Sequence, residues 1–434
     1  MATKIIAVIL ALLLATAVFF AGFFTHKFTR SGDVSSYEWV LETIAKNYYG
    51  DFDRELASGL SLSALAGMLD KYSEYYTAEE YDAVVNNNSG KKSGAGFTAN
   101  FIKGKGVYII TVEGNSPEYK AGLRPGMTVT GGKKSGVHTE FSSADAAIDF
   151  LESLDDGDEY VFVTDGEKEL QLVREEYTAS YTKMYTSDMS WYFEAEGTGS
   201  LSLKSRASDE MDFLPEKTAY VKLSQFYGTA SEEFGWLMTN FNASECTSLI
   251  LDLRNNGGGY VSVMQEISGY FTSSVTDETC TAMVAEYKNG KKAYADCIKQ
   301  YGNSLVPRDT QVYVLANSGT ASASEALIGV LISYGILDYE NIYLSDYSAE
   351  YLAWAGAGAK TRRSYGKGIM QSTFINPITR EALKLTTARI YWQNGKCIHD
   401  VGLTTADGCR LAPAAWTATL SDEELRYVVN DITG

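Results

Sequence analysis

From about residue 178 to residue 434, short apolar runs rich in β-branched residues alternate with segments of helical pattern. YVKLSQF (220–226), SLILDLR (248–254), QVYVLAN (311–317), NIYLSD (341–346) and LKLTTARIYW (383–392) read as strands. SEEFGWLMTNF, YVSVMQEISGYF and SEALIGVLISYG read as helices. A strand covers its apolar face only against another layer, so this alternation demands an α/β sheet domain. No repeat of 20–50 residues underlies it.

Residues 93–177 follow a different rule. GVYIITV (106–112) is strand-like, and YVFVTDGEKELQLVREE (160–176) reads as two strands around Asp165-Gly166. SADAAIDFLESL (143–154) is an amphipathic helix pattern, so this stretch predicts a small β-domain with one helix. Residues 31–92 read as helical. Ser35 and Glu38 stand at capping-box spacing, with Val40, Leu41, Ile44 and Tyr48 on one face. Thr77 and Glu80 repeat the capping signal, and NNNSGKKSG (86–94) marks a turn-rich boundary.

The first residues carry a targeting signal. Ile5 to Phe24 is an uncharged run of 20 residues. At about 1.5 Å per residue it matches the roughly 30 Å hydrocarbon core. This predicts a single-pass anchor in the cell membrane, with the rest of the chain outside the cytoplasm. A cleaved secretory signal is the alternative, although Ala15-Thr16-Ala17 would cut inside the apolar run. Lys4 on one side, and Lys27 and Arg30 on the other, give the positive-inside rule little to decide.

A net charge of −18 argues against nucleic acid as a partner, because phosphate binding needs clustered Lys and Arg. The five cysteines (246, 280, 297, 397 and 409) form no CxxC and no Cys/His cluster, so no metal or other cofactor is expected. Cys280 with Cys297, and Cys397 with Cys409, are close enough in sequence to close small disulfide loops in an exported chain.

Two stretches carry candidate chemistry. NSGTASASE (317–325) sets Ser322 where a strand passes into a helix. Helix N-termini offer unpaired N–H groups that stabilise an oxyanion. A serine there is also a common helix cap, and Ser324 competes for either role. SYGKGIMQ (364–371) sets Lys367 between glycines. A desolvated lysine serves as a base once its pKa falls from ~10.4 to about 7–8; a solvated turn lysine is the plainer reading. Gln371 shares a face with Lys367 if that run is a strand, and then orients the amine. A third stretch, DLRNNGGGY (252–260), places three glycines after an apolar strand, either as an anion-binding nest or as a tight turn. The three histidines, His26, His138 and His399, supply no evident triad.

Together these residues resemble the C-terminal processing peptidases, which are tail-specific serine–lysine proteases. LDKYSEYYTAEEY (69–81), GAGF (94–97), NSPEYKAGLRPGMTV (115–129), YVKLSQF, LILDLRNNGGG, VLANSGTASASE and YGKGIMQ appear in the family order. The resemblance implies a membrane helix (1–30), a helical segment (31–92), a PDZ-like domain (93–177) and an α/β protease core with a mixed sheet (178–434). It implies Ser322 as nucleophile, Lys367 as general base and Gln371 as the residue that positions the lysine. The N–H groups of Ala323 and of a glycine in 257–259, taken as Gly258, would form the oxyanion hole. Gly94, Ala95, Gly96 and Phe97, with Ser93, would hold the C-terminal carboxylate of a peptide added as a strand. The expected partners are proteins or peptides with free C-termini and, through residues 5–24, the membrane; a homo-oligomer is left open.

The sequence departs from the family pattern in three places. Ser322 and Lys367 are further apart than usual, with about residues 347–363 as the extra material. Gly257 stands where many relatives have proline, and VGLTTADG lacks a usual proline. A peptide-binding scaffold or pseudoprotease without catalysis is the rival reading.

Overall fold

The computed structural model describes residues 32–53, 61–92, 94–196, 199–345, 362–413 and 422–433. The expected anchor at Ile5 to Phe24, residues 347–361 of the excursion at about 347–363, and Ser93 lie outside them. Among the described residues no helix is long and apolar enough to cross a membrane. The chain divides into two units, one of residues 1–83, 287–290 and 370–388, the other of residues 84–286, 291–369 and 389–434.

The first unit shows what the N-terminal helical pattern hides against. Val40, Leu41, Ile44 and Tyr48 lie buried on one face of the helix Gly32–Asn47, as the spacing predicts. Their core is completed by Leu65 and Ala66, and by Leu383 and Leu385 from far along the chain. The strand Glu74–Tyr76 pairs antiparallel with that same distant segment, Glu74 opposite Lys384. The N-terminal segment therefore makes its core with a C-terminal strand rather than alone. Thr77 and Glu80 do form a capping box: Thr77 N donates to Glu80 Oε2 at 2.8 Å, and Glu80 N to Thr77 Oγ1 at 3.3 Å. The helix already runs from Gly32, so Ser35 and Glu38 fall inside it rather than at its start.

In the second unit an eight-stranded mixed sheet forms the centre. Its order is Ser200–Ala207, Met189–Glu196, Thr182–Tyr185, Thr218–Leu223, Ser248–Asp252, Gln311–Ala316, Ile342–Leu344 and Arg410–Leu411. The first four are antiparallel neighbours and the rest parallel. The inner parallel strands are buried along almost their whole length, as a sheet covered on both faces requires. Tyr220, Ile250, Leu315 and Tyr343 project to one face and meet Leu425, Val428 and Val429 of the helix Asp422–Thr433. The helices Ala230–Ala243, Val261–Thr272 and Ala323–Ser333 carry the apolar faces that the sequence pattern showed.

Residues 97–173 of the same unit form a smaller six-stranded antiparallel sheet. Its core joins Ile109, Val129, Phe162, Leu170 and Leu172 with Ala147 and Phe150 of the helix Ala144–Glu152. The hairpin expected around Asp165-Gly166 is present, with Val163 opposite Glu169, but its left-handed residue is Glu167 (φ 58°) rather than the glycine. The strand Phe97–Ile102 forms one edge. All five cysteines are free thiols.

A buried carboxylate ties a helix to the central sheet. Glu233 Oε2 accepts the amides of Tyr181 at 2.8 Å and Thr182 at 2.9 Å, and Oε1 accepts the Thr229 hydroxyl at 2.8 Å. Burial pushes this carboxyl up from 4.5 to about 7, against those hydrogen bonds. A carboxyl raised on folding binds more protons in the native state between these two values, so its contribution to stability falls as pH rises through that window. The unfolding free energy of the wild type minus that of Glu233→Gln should fall by about 1.4 kcal/mol per pH unit between pH 4.5 and 7. Urea titrations of both proteins at several pH values check this; parallel pH profiles would contradict it.

Candidate active site

The strand Gln311–Ala316 ends on a turn, residues 317–322, that delivers Ser322 to the first position before the helix Ala323–Ser333. The turn is braced from within. Asn317 Oδ1 accepts the amides of Gly319 and Asn255, both at 2.9 Å, and Thr320 Oγ1 donates to Leu253 O at 2.8 Å. Ser322 itself has φ 59° and ψ −116°, a conformation that costs a residue with a side chain of order 1–3 kcal/mol and persists only where its surroundings enforce it. It is half-buried while its neighbours on both sides are buried.

Glu325 provides that enforcement. Fully buried, its Oε2 accepts the Ser322 amide at 3.0 Å and the Lys367 amide at 2.9 Å. Its Oε1 accepts the Gly366 amide at 2.7 Å and the Ser364 hydroxyl at 2.6 Å. One oxygen atom thus bridges the backbones of the two residues that the motifs single out. Burial raises the Glu325 carboxyl above the usual range, and these four donors oppose the rise. Ser364 continues the chain of bonds, its Oγ accepting Leu403 N at 2.7 Å. Lys367 precedes the strand Ile369–Ile375 instead of lying in it. Gly366, with φ 85°, and Gly368 are packed against the backbone of residues 398–402, where a side chain would collide.

Ser324 is placed differently from Ser322. It is fully buried and its Oγ donates to Asn256 O at 2.9 Å, so the competing serine serves as a brace. Asn256 O also accepts Ala321 N at 3.0 Å, tying the glycine loop to the serine turn. Gly258 sits directly against the site. A methyl group on it would lie 2.8 Å from Ser322 Cβ and 2.9 Å from Ala323 N, so no larger residue fits. The Gly258 N–H points at Asn256 Oδ1, 2.9 Å away. Ala323 N is the first amide of its helix and has no intrahelical acceptor.

The glycine loop hangs from a buried ion network. Arg254 grips Asp252 with two bonds, at 3.0 and 2.7 Å, and Glu424 with a third. Tyr220 and Lys222 complete it on Asp252, at 2.6 and 3.2 Å. Burial by itself would raise the Asp252 carboxyl; the Arg254 and Lys222 charges override it and hold the group well below the usual carboxylate range.

The remaining expected residues are placed as follows. Gln371 lies in the first unit, where its side-chain amide donates to Thr386 Oγ1 at 3.2 Å. Gly94, Ala95, Gly96 and Phe97 form the entry to the edge strand of the small sheet. His138 lies on the strand Val137–Glu140 of that sheet, and His399 Nε2 stands 3.4 Å from Asp400 Oδ2. The sequence reading did not single out Glu325, although Ser322 and Glu325 have capping-box spacing. Nor did it single out Arg254, which only the burial of its partners reveals. Replacing Glu325 by Ala leaves several buried donors unpaired and should lower the unfolding free energy by about 3 kcal/mol or more, against about 1 kcal/mol for Ser324→Ala. Urea denaturation of the two variants tests the ranking.

Residues 217–338 match the model of peptidase family S41, a span that contains the glycine loop and Ser322 and stops short of Lys367. The chain is 25% identical over 381 residues to the carboxy-terminal processing protease CtpB of Bacillus subtilis (strain 168), covering 84% of this chain and 65% of that one. It is 24% identical over 387 residues to a probable CtpA-like serine protease of Staphylococcus aureus (strain N315), covering 86% and 64%. The chain therefore spans a little under two thirds of the length of these relatives. Among solved structures, the photosystem II D1 C-terminal processing protease superposes with a TM-score of 0.51 at 17% identity, over 92% of this chain and 97% of that one, a likeness of fold. The resemblance carried by the motifs is thus met by these comparisons: the chain is similar to proteins named as C-terminal processing and CtpA-like serine proteases, and residues 217–338 to peptidase family S41.

Proposed function

We propose that this relative of the C-terminal processing proteases is itself a serine endopeptidase that works through Ser322 and Lys367. The observation that carries the reading is the Glu325 carboxylate, whose single oxygen binds the backbone amides of both residues. The Lys367 amine, in its neutral form, takes the proton from Ser322 Oγ as the oxygen attacks a peptide carbonyl. The N–H of Ala323 and that of a glycine in 257–259 receive the oxyanion. The ammonium so formed gives its proton to the leaving nitrogen, and the amine, neutral again, takes a proton from the water that attacks the acyl group and returns it to Ser322 Oγ as the acid is released. Gln371, carried over from the family motif, orients the lysine amine.

In the same proposal the sheet of residues 97–173 acts as a PDZ-like reader. Its edge strand Phe97–Ile102 offers unpaired backbone groups to which an extended tail adds as a further strand. Unstructured, apolar C-terminal tails of exported proteins are the substrates, since a folded tail cannot enter as a strand. Residues 5–24 anchor the protein in the cell membrane with its catalytic part outside the cytoplasm.

The test is cleavage of an unfolded protein bearing an apolar tail. Ser322→Ala and Lys367→Ala should each lower the rate at least about a thousandfold, as losing one member of a catalytic unit does. Gln371→Ala, a loss of orientation, should cost about a hundredfold. Cleavage that survives Ser322→Ala would remove this mechanism. Tail binding without cleavage by the wild type would favour a scaffold.

A further inference from the structure

The loop assigned to a peptide carboxylate already holds a carboxylate of the chain's own. Gly96 N, in the middle of Gly94 to Phe97, donates to Glu118 Oε2 at 3.1 Å. Glu118 is 1% exposed and reaches the loop from the short helix Pro117–Ala121. Its other oxygen accepts the Tyr160 hydroxyl at 3.2 Å. The loop fits closely around this arrangement. A methyl group on Gly96 would fall 2.2 Å from Ser116 Cβ and 2.8 Å from the Tyr177 hydroxyl, so only glycine brings the amide this near. Glu113 N donates back to Gly96 O at 2.7 Å, so both polar groups of Gly96 are engaged.

A loop that captures a terminal carboxylate works by presenting several N–H groups to two oxygens. Here one of those donors is taken from inside the protein. We propose that Glu118 is the resident ligand of this loop, and that a free C-terminal carboxylate binds fully only by displacing it. The inference rests on the reading of residues 93–177 as a PDZ-like peptide binder. Its consequence is selectivity: the resting domain holds a tail by strand pairing and apolar contacts, and gains little from the terminal charge. The Arg174 guanidinium lies 3.7 Å from where a Gly94 side chain would begin, and so offers an incoming carboxylate a cation beside the loop.

The experiment compares one peptide with three apolar terminal residues in two forms, free acid and C-terminal amide. Binding is read by fluorescence anisotropy in a Ser322→Ala background, which prevents cleavage. With Glu118 present, the two forms should bind within about twofold of each other. Glu118→Ala frees the Gly96 amide and should make the acid at least about fivefold tighter than the amide, the range of one charge-assisted hydrogen bond. Glu118→Gln keeps the shape of the side chain and weakens its hold on the amide, so it should fall between, and it serves if the alanine variant does not fold. A wild-type loop that already prefers the acid tenfold, with a ratio unmoved by either substitution, would overturn the proposal and leave Glu118 as a brace. Affinity for both forms falling together at a constant ratio would overturn it as well. Binding of neither form to any of the proteins would remove the peptide-reading function itself, and this inference with it.

Discussion

One buried carboxylate holds the candidate site together. Glu325 lies in the first turn of its helix, where the helix dipole and unpaired amides favour an anion. A glutamate three residues after the start of a helix ordinarily closes a local capping box. This one closes the local bond to Ser322 N and spends its remaining acceptor capacity on Ser364, Gly366 and Lys367, which lie 39 to 42 residues further along. The length of chain between serine and lysine therefore matters little to their juxtaposition. The serine turn and the residues around Lys367 are fixed to each other by hydrogen bonds to that one side chain.

The same logic, a buried charge with every oxygen occupied, recurs beneath the glycine loop. Asp252 ends its strand, and Arg254 turns back to grip it while also holding Glu424 of the C-terminal helix. Apolar residues of similar size would pack as stably in such a place. The gain from the ion network is geometric: it sets the direction in which residues 255–259 leave the sheet. Asn256 then uses its carbonyl to hold Ala321 and Ser324, and its side chain to hold Leu223 O and Gly258 N. Two loops from adjacent parallel strands are thereby fastened to each other at the carboxyl end of the sheet, where α/β folds place their sites.

Much of this was legible in the sequence, for identifiable reasons. The central strands are buried on both faces and read as short continuous apolar runs, and the helix after Ser322 is buried nearly all round, so SLILD, QVYVLA and that helix fall where the apolar runs put them. Long-range pairing left no such trace. Nothing in the 32–47 pattern says that its face is completed by Leu383 and Leu385. The strand Met189–Glu196 carries a signal in Trp191, Tyr192 and Phe193 that the sequence reading passed over, whereas Ser200–Ala207 is polar and stands because its eight-residue register with that strand satisfies the backbone. The helix Asp422–Thr433 had a signal, the stripe Leu425, Val428, Val429 and Ile432, and its meaning rests on the sheet face that it covers. Charged residues were the hardest to read. Glu118, Glu233 and Glu325 look like surface glutamates in the sequence, and only the folded chain shows the amides that surround them.

The strained backbone of Ser322 follows from these restraints. Its N–H is held by Glu325 and its carbonyl by Ala326 N at 2.9 Å, while Ala321 N and the Ser324 hydroxyl on either side are both fixed to Asn256 O. No rotation about the Ser322 backbone can relax φ 59° without breaking at least one buried hydrogen bond, each of which is worth about 1–3 kcal/mol once its partner is left unpaired. That penalty matches or exceeds the strain, so the left-handed conformation is the lower-energy choice before any substrate arrives. The backbone of Ser322, and with it the direction of its Cα–Cβ bond, is therefore set by the scaffold alone. A strained residue held in this way marks a position that the surrounding structure over-determines, and here the over-determination comes from two buried side chains, Glu325 and Ser324, and one backbone carbonyl, that of Asn256.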